Sequence, residues 1–131
     1  PSSEAETAVD VVSYAVQVAC QLGAHIIKCK ATTNVIGLES NVKKEVYKNL
    51  STETLAERTK LVMQAAFDGR RIVICSGGDT KSTGDVLTEV QGLKDGGAFG
   101  SIVGRNSFQR PEAEAVELLH KIQDIYVSSS R

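Results

Sequence analysis

Apolar residues recur at helical spacing in four stretches of this chain and form short unbroken runs between them. Ala8, Val12, Ala15, Val16 and Ala19 share one face of a helix predicted over residues 4–22. Ser3 and Glu6 have capping-box spacing at its start, and Gly23 supplies a left-handed stop. Residues 24–30 read as a short buried strand centred on Ile26 and Ile27. Residues 31–50 show no strong period, and a connection of that length is often a functional loop or lid. Leu50 and Leu55 flank Ser51 with the spacing of a hydrophobic staple, which starts a second helix there. That helix carries Leu55, Val62, Ala65 and Ala66 as far as Asp68, and Gly69 ends it.

Residues 71–75 run apolar without interruption after Arg71, the mark of a parallel strand buried on both faces. Ser76-Gly77-Gly78 breaks that run. A third helix begins near Ser82, with Asp85 completing a capping box, and carries Val86, Val90 and Leu93 to a stop at Gly96-Gly97. Residues 100–103 form a third strand that ends in Gly104-Arg105-Asn106. Pro111 suits a first helical position, and the last helix runs to about Val127 with Val116, Leu119, Ile122 and Tyr126 inward. Residues 128–131 are a polar tail. The order α-β-α-β-α-β-α predicts one α/β domain with a parallel sheet. Three strands are too few for a flavodoxin-like sheet, and a whole (β/α)8 barrel takes about 250 residues. The expected architecture is therefore part of a barrel or a small three-layer domain.

Composition narrows the partners. The 131 residues include 15 basic and 16 acidic side chains, for a net charge of −1, and the pI is near 6.2. No nucleic-acid partner is expected without a basic excess. The apolar runs are too short for a membrane span or a signal-peptide core, so no membrane partner is expected either. Cys20, Cys29 and Cys75 form no C-x-x-C pair, and His25 and His120 lie far apart. That spacing argues against a zinc site and for reduced core thiols.

The chemistry gathers at strand ends. In Ser76-Gly77-Gly78 the glycines let backbone N–H groups approach a ligand, and a following helix N-terminus favours phosphate. Gly104-Arg105 repeats the theme one strand later, with a guanidinium fork suited to a phosphate. Either motif alone could be a plain turn, but the pair on successive strands matches the phosphate site of barrels. Neither GxGxxG nor GxxxxGK[ST] occurs. Period two puts Ile26, Lys28 and Lys30 on one side of the first strand and Ile27 and Cys29 on the other. A lysine in a barrel mouth is costly to bury charged, and Lys30 nearby adds a second cation. Both effects favour a neutral Lys28 amine able to form a Schiff base. A solvated strand-end lysine is the alternative. Glu114, Glu117 and Lys121, and the mixed charges of residues 39–48, read as solvated faces. Tyr47 reads as packing, with a mobile lid the other possibility.

Three segments resemble the archaeal-type and bacterial class I fructose-bisphosphate aldolases. They are Gly23-Ala24-His25-Ile26-Ile27-Lys28-Cys29-Lys30, Ser76-Gly77-Gly78, and Gly104-Arg105-Asn106-Ser107-Phe108-Gln109-Arg110-Pro111. Leu119-His120-Lys121-Ile122-Gln123-Asp124-Ile125-Tyr126 and Lys48-Asn49-Leu50-Ser51-Thr52 are similar to the bacterial branch. The resemblance runs from about Tyr14 to Tyr126. It implies a (β/α)8 barrel with Lys28 on the sixth strand as the Schiff-base nucleophile. Ser76, Gly77 and Gly78 after strand seven, and Gly104 and Arg105 after strand eight, would then bind the sugar phosphate. The implied reaction cleaves fructose 1,6-bisphosphate to dihydroxyacetone phosphate and glyceraldehyde 3-phosphate with no metal or cofactor, in the cytoplasm.

The family's first-half strands are absent, and with them the acidic residue of strand one and an aromatic acid/base group. Residues 1–131 are therefore expected to be a partial barrel, the C-terminal half of a longer enzyme. Its raw sheet edges would drive association with the other half or homo-oligomerisation. The alternatives are a Schiff-base lyase or thiolase on another phosphorylated ketose, a phosphate-binding module without catalysis, and a structural domain whose glycines are only turns.

Overall fold

The computed structural model describes residues 4–77 and 79–128. A 3₁₀ turn at Ala5–Thr7 precedes α1 (Val9–Gln21), β1 (Ile26–Lys30), α2 (Glu39–Val42), α3 (Glu45–Lys48) and α4 (Leu55–Ala65). Then come β2 (Ile72–Ser76), α5 (Thr83–Asp95), β3 (Gly100–Ile102), α6 (Arg105–Phe108) and α7 (Glu112–Val127). The expected alternation holds, and the four-residue helices α2, α3 and α6 are additions too short for a periodicity to reveal. Among the described residues no helix is long and apolar enough to cross a membrane.

The three strands are parallel and lie in chain order β1-β2-β3. Lys28 stands opposite Ile74, Cys29 opposite Cys75 and Lys30 opposite Ser76. Ser76 in turn stands opposite Ile102. Ile27, Val73 and Cys75 pack into one buried cluster with Val12, Val16 and Cys20 of α1, Val62 of α4 and Leu93 of α5. Consecutive long helices also touch one another, α1 on α4, α4 on α5 and α5 on α7. The helices thus cover one face of the sheet. On the other face Ile26 is 61% and Ile102 42% exposed. Residues 72–76 are accordingly buried on alternate positions only, where the unbroken apolar run predicts burial on both faces. Sequential strand order with one-sided helices is the local arrangement of a barrel wall; a doubly wound sheet carries helices on both faces.

Local sequence chemistry explains most element ends. Ser82 caps α5 by accepting the Asp85 N–H at 3.2 Å, as its spacing predicts. Gly23 takes φ +95° after α1, the left-handed stop expected there. The cap of α4 is Thr54 instead of Ser51. Thr54 Oγ1 accepts the Glu57 N–H, and Glu57 Oε2 accepts the Thr54 N–H at 2.9 Å, a complete capping box. Ser51 donates to Glu57 Oε1 at 2.5 Å. The helix predicted over 4–22 is broken at Ala8, which is extended at ψ 138° and bridges to Thr33. Ser3 lies outside the described residues. Ala15 is exposed; the buried face of α1 is Val9, Val12, Val16 and Cys20. Pro111 sits one residue earlier than expected, as the N-cap of α7. On α7 the inward residues are Leu118 and Ile122, with Ile125 and Tyr126 packed beside them. Val116 and Leu119 are 45% and 38% exposed, because the helix is rotated from the face that the sequence pattern suggests.

The long connection of residues 31–50 is fastened at several points. Asp10, 2% exposed, accepts the Gly37 N–H at 2.7 Å, the Leu38 N–H at 3.0 Å and the Asn41 amide at 3.0 Å. Arg58 reaches from α4 to the Thr32 carbonyl at 3.0 Å and the Thr52 carbonyl at 2.7 Å. Burial resists ionisation of Asp10, but the bonds from Gly37, Asn41 and Leu38 outweigh it and hold the carboxyl below its ordinary range. These contacts pin the first half of the segment to α1 and its far end to α4, while Val42 and Val46 between them are exposed.

Candidate active site

The strands end together at one side of the sheet, and a cavity of about 280 Å³ opens there. Lys28, Ser76, Gly77, Gly104 and Arg105 all line it, so residues from three strand ends converge on one space. Gly78 lies outside the described residues. Lys28 projects from the open face of β1 and is exposed; the burial expected for it is not supplied within this chain, whose helices lie on the opposite face. Lys30 lies outside this cavity, with its ammonium 3.3 Å from Glu6 Oε2. Ser76 Oγ lies 3.4 Å from the Cys29 carbonyl, which it meets as a donor across the β1–β2 pairing.

Arg105 and Asp79 span the mouth at 3.1 Å, Nη2 to Oδ1. Asp79 is 94% exposed there and Arg105 51%. A carboxylate on this guanidinium occupies a donor that a phosphate would use, which sets up a competition between the two anions. At Gly77 a Cβ would stand 3.6 Å from Glu89 Oε1, an ordinary contact, so protein packing alone does not require glycine there. What glycine retains is an uncovered peptide on the cavity side.

Three residues of the site are not evident from the sequence pattern. Glu89 of α5 lines the cavity, and Lys81 Nζ donates to its Oε2. That pairing offsets an anion that would otherwise repel phosphate. Asn106 is buried between the loops after β2 and β3. Arg110 follows it one helical turn later, joined to the Asn106 carbonyl at 2.5 Å. Asn106 and Arg110 stand inside the Gly104–Pro111 string that carries the resemblance, but no spacing rule assigns either a role. Glu89 falls between the apolar positions of α5, where a solvated charge is the ordinary reading.

Behind the site the Cys29 and Cys75 sulfurs lie 3.8 Å apart on the helix-covered face. All three cysteines are free thiols, with Cys20 and Cys75 buried and Cys29 half-buried. The hydrogen bond to Cys29, and then burial, push the Cys75 thiol up and keep it protonated.

Comparison with known proteins places the chain. The model of the DeoC/LacD family aldolases matches residues 2–110. The chain belongs to the DeoC/LacD aldolase family. Within reach of that family lies a Chlamydia muridarum (strain MoPn / Nigg) protein named probable fructose-bisphosphate aldolase class 1. It is 34% identical over 128 residues, which cover 92% of this chain and 37% of the relative. A Thermoproteus tenax protein named fructose-bisphosphate aldolase class 1 is 33% identical over 109 residues, covering 82% of this chain and 33% of its own. Among solved structures, the chain is similar to an archaeal fructose 1,6-bisphosphate aldolase (TM-score 0.69, 28% identity, 92% of this chain and 38% of that one). It is also similar to the fructose-bisphosphate aldolase of Slackia heliotrinireducens DSM 20476 (TM-score 0.71, 29% identity, 96% and 35%). The family assignment accords with the strand order: these neighbours are (β/α)8 barrels, and the sheet is a segment of that wall. The chain spans only about a third of the length of the aldolases it matches.

Proposed function

We propose that this chain carries the nucleophile and one phosphate site of a Schiff-base aldolase that cleaves fructose 1,6-bisphosphate. The observation that supports this best is the shared cavity of Lys28, Ser76, Gly77, Gly104 and Arg105. Lys28 Nζ attacks the C2 ketone, and loss of water leaves an iminium. Removal of the C4 hydroxyl proton then breaks the C3–C4 bond. The electron pair passes into the iminium to give an enamine, and glyceraldehyde 3-phosphate departs. Protonation at C3 and hydrolysis of the imine release dihydroxyacetone phosphate and restore Lys28. The backbone at Gly77 and the Arg105 guanidinium hold the phosphate next to C1, which fixes C2 within reach of the amine. Ser76 adds a hydroxyl to that cradle and Gly104 extends its backbone; Gly78 is assigned to the same phosphate site on the resemblance alone.

In this reading the proton-transfer groups come from parts of the enzyme outside residues 1–131, so this chain alone does not turn over. Residues 1–131 form the C-terminal part of one barrel domain and associate with the remaining strands, or with further copies, through edges such as β1. The setting is glycolysis in the cytoplasm. Lys30, beside Lys28 in sequence, contributes positive potential, tempered by Glu6.

Incubation with dihydroxyacetone phosphate and borohydride, followed by mass spectrometry, tests the reading. A reduced adduct on Lys28 that vanishes in Lys28→Met is the expected result. Unchanged labelling of Lys28→Met would sink it. The exposure of Lys28 favours one second reading, a phosphate-ligand module in which this lysine is only electrostatic. Phosphate binding without any trapped adduct at native length would select that reading.

A further inference from the structure

One buried side chain ties the loop after β2 to the loop after β3. Asn106 is 6% exposed. Its Oδ1 accepts the Lys81 backbone N–H at 2.7 Å, and its Nδ2 donates to the Asp79 carbonyl at 3.0 Å. Both ends of the amide are therefore engaged with residues 79–81. Arg110 completes the grip: Nη2 donates to the Lys81 carbonyl at 2.7 Å and Nη1 to Thr83 Oγ1 at 2.9 Å. The Lys81 residue is thus held at its N–H by Asn106 and at its C=O by Arg110. Asn106 is also the chain neighbour of Arg105, so the clamp fixes the guanidinium's own peptide against the loop that carries Gly77.

We infer that Asn106 is a positioning residue that sets Gly77 and Arg105 at the spacing of one phosphate group, and so makes Lys28 selective for phosphorylated ketones. The inference rests on the proposed roles of Lys28 and the cavity. Its physical basis is that an amide with both ends satisfied in a buried position allows one arrangement of the two loops. Removing either end leaves a buried backbone group without its partner, and the loops separate to reach water.

The test uses the protein at its native length, as wild type, Asn106→Asp and Asn106→Ala. The aspartate keeps the shape and the acceptor but loses the donor to Asp79. The alanine introduces no charge, so agreement between the two excludes simple repulsion. Inorganic phosphate is titrated by calorimetry. Borohydride trapping is followed with dihydroxyacetone phosphate and with dihydroxyacetone. Phosphate affinity, and trapping of the phosphorylated ketone below saturation, are expected to fall about tenfold in both variants. Trapping of dihydroxyacetone should stay at the wild-type rate. A general loosening would lower both ketones equally, and that outcome, or an unaltered phosphate affinity, overturns the inference. A wild type that binds phosphate and loses it on substitution, yet traps neither ketone, keeps the positioning role and removes the Schiff-base reading. A wild type that binds no phosphate removes the positioning role.

Discussion

Asp10 and Asn41 are joined side chain to side chain in a buried position, Oδ2 to Nδ2 at 3.0 Å, from the first long helix to the connection beyond the first strand. With the Gly37 and Leu38 N–H groups, this bond makes residues 37–41 part of the scaffold. Asp10→Ala should cost about 3 kcal/mol of stability, since several buried donors lose one acceptor. Urea midpoints of the two proteins check this.

The same carboxyl predicts a pH dependence. Asp10 is held below its ordinary range when folded, so its contribution is complete above the unfolded value. As pH falls the unfolded chain takes the proton first, and the contribution is lost as pH passes down through the folded value. Asp10→Asn should therefore flatten the acid limb of the stability profile. An acid limb identical in the two proteins would show that Asp10 is not its source.

Gly96, the C-cap of α5, packs directly against Ala56 and Thr59 of α4. A Cβ there would stand 2.6 Å from the Ala56 carbonyl and 2.8 Å from Thr59 Cγ2. Gly96→Ala should destabilise by about 2 kcal/mol, because backbone blocks the added methyl. Thermal melts would show this as a lowered Tm.

Leu118 and Leu119 are chain neighbours with opposite roles. Leu118 is 1% exposed and packs with Val86, Val90 and Ile122, while Leu119 is 38% exposed. Leu118→Ala should cost about 3 kcal/mol. Leu119→Ala, with its side chain partly in water already, should cost under about 1 kcal/mol. Equal effects would mean that α7 is rotated from the position described.

Asp79 competes with an incoming anion for Arg105. Asp79→Asn should tighten binding of inorganic phosphate about threefold, the scale of an exposed ion pair. Phosphate titrations at low and moderate salt check both the direction and its weakening by screening.

The sequence was most legible where one local rule acted alone. Ser82 with Asp85, Gly23 after α1, and the runs that became β1 and β2 needed no tertiary information. Thr54 takes the cap that the Leu50–Leu55 staple assigns to Ser51, because Thr54 alone has an acidic residue three positions on, Glu57, to close both hydrogen bonds. On α7 Ile122 and Tyr126 turn inward as their spacing predicts, but Val116 and Leu119 share that spacing and stay exposed; whether they or Leu118 complete the buried stripe depends on where α5 lies. Of the residues singled out in the sequence, Lys28, Ser76, Gly77, Gly104 and Arg105 share one cavity, which is a matter of place and leaves their roles to the proposal. Asn106, Arg110 and Glu89 were not legible, since their partners lie on a different loop or helix and no periodicity records such pairings.

The strands stop at one level, so the middle of each segment builds the wall and its last residues furnish the cavity. Scaffold and chemistry are thereby written in different letters of the same units. Residues 76, 77, 79–81 and 104–106 can drift toward another anion while Ile27, Val73 and Leu93 go on holding the helices in place. A wall of this kind can be re-equipped one rim segment at a time, each change adding or removing a single group without asking the core to fold again.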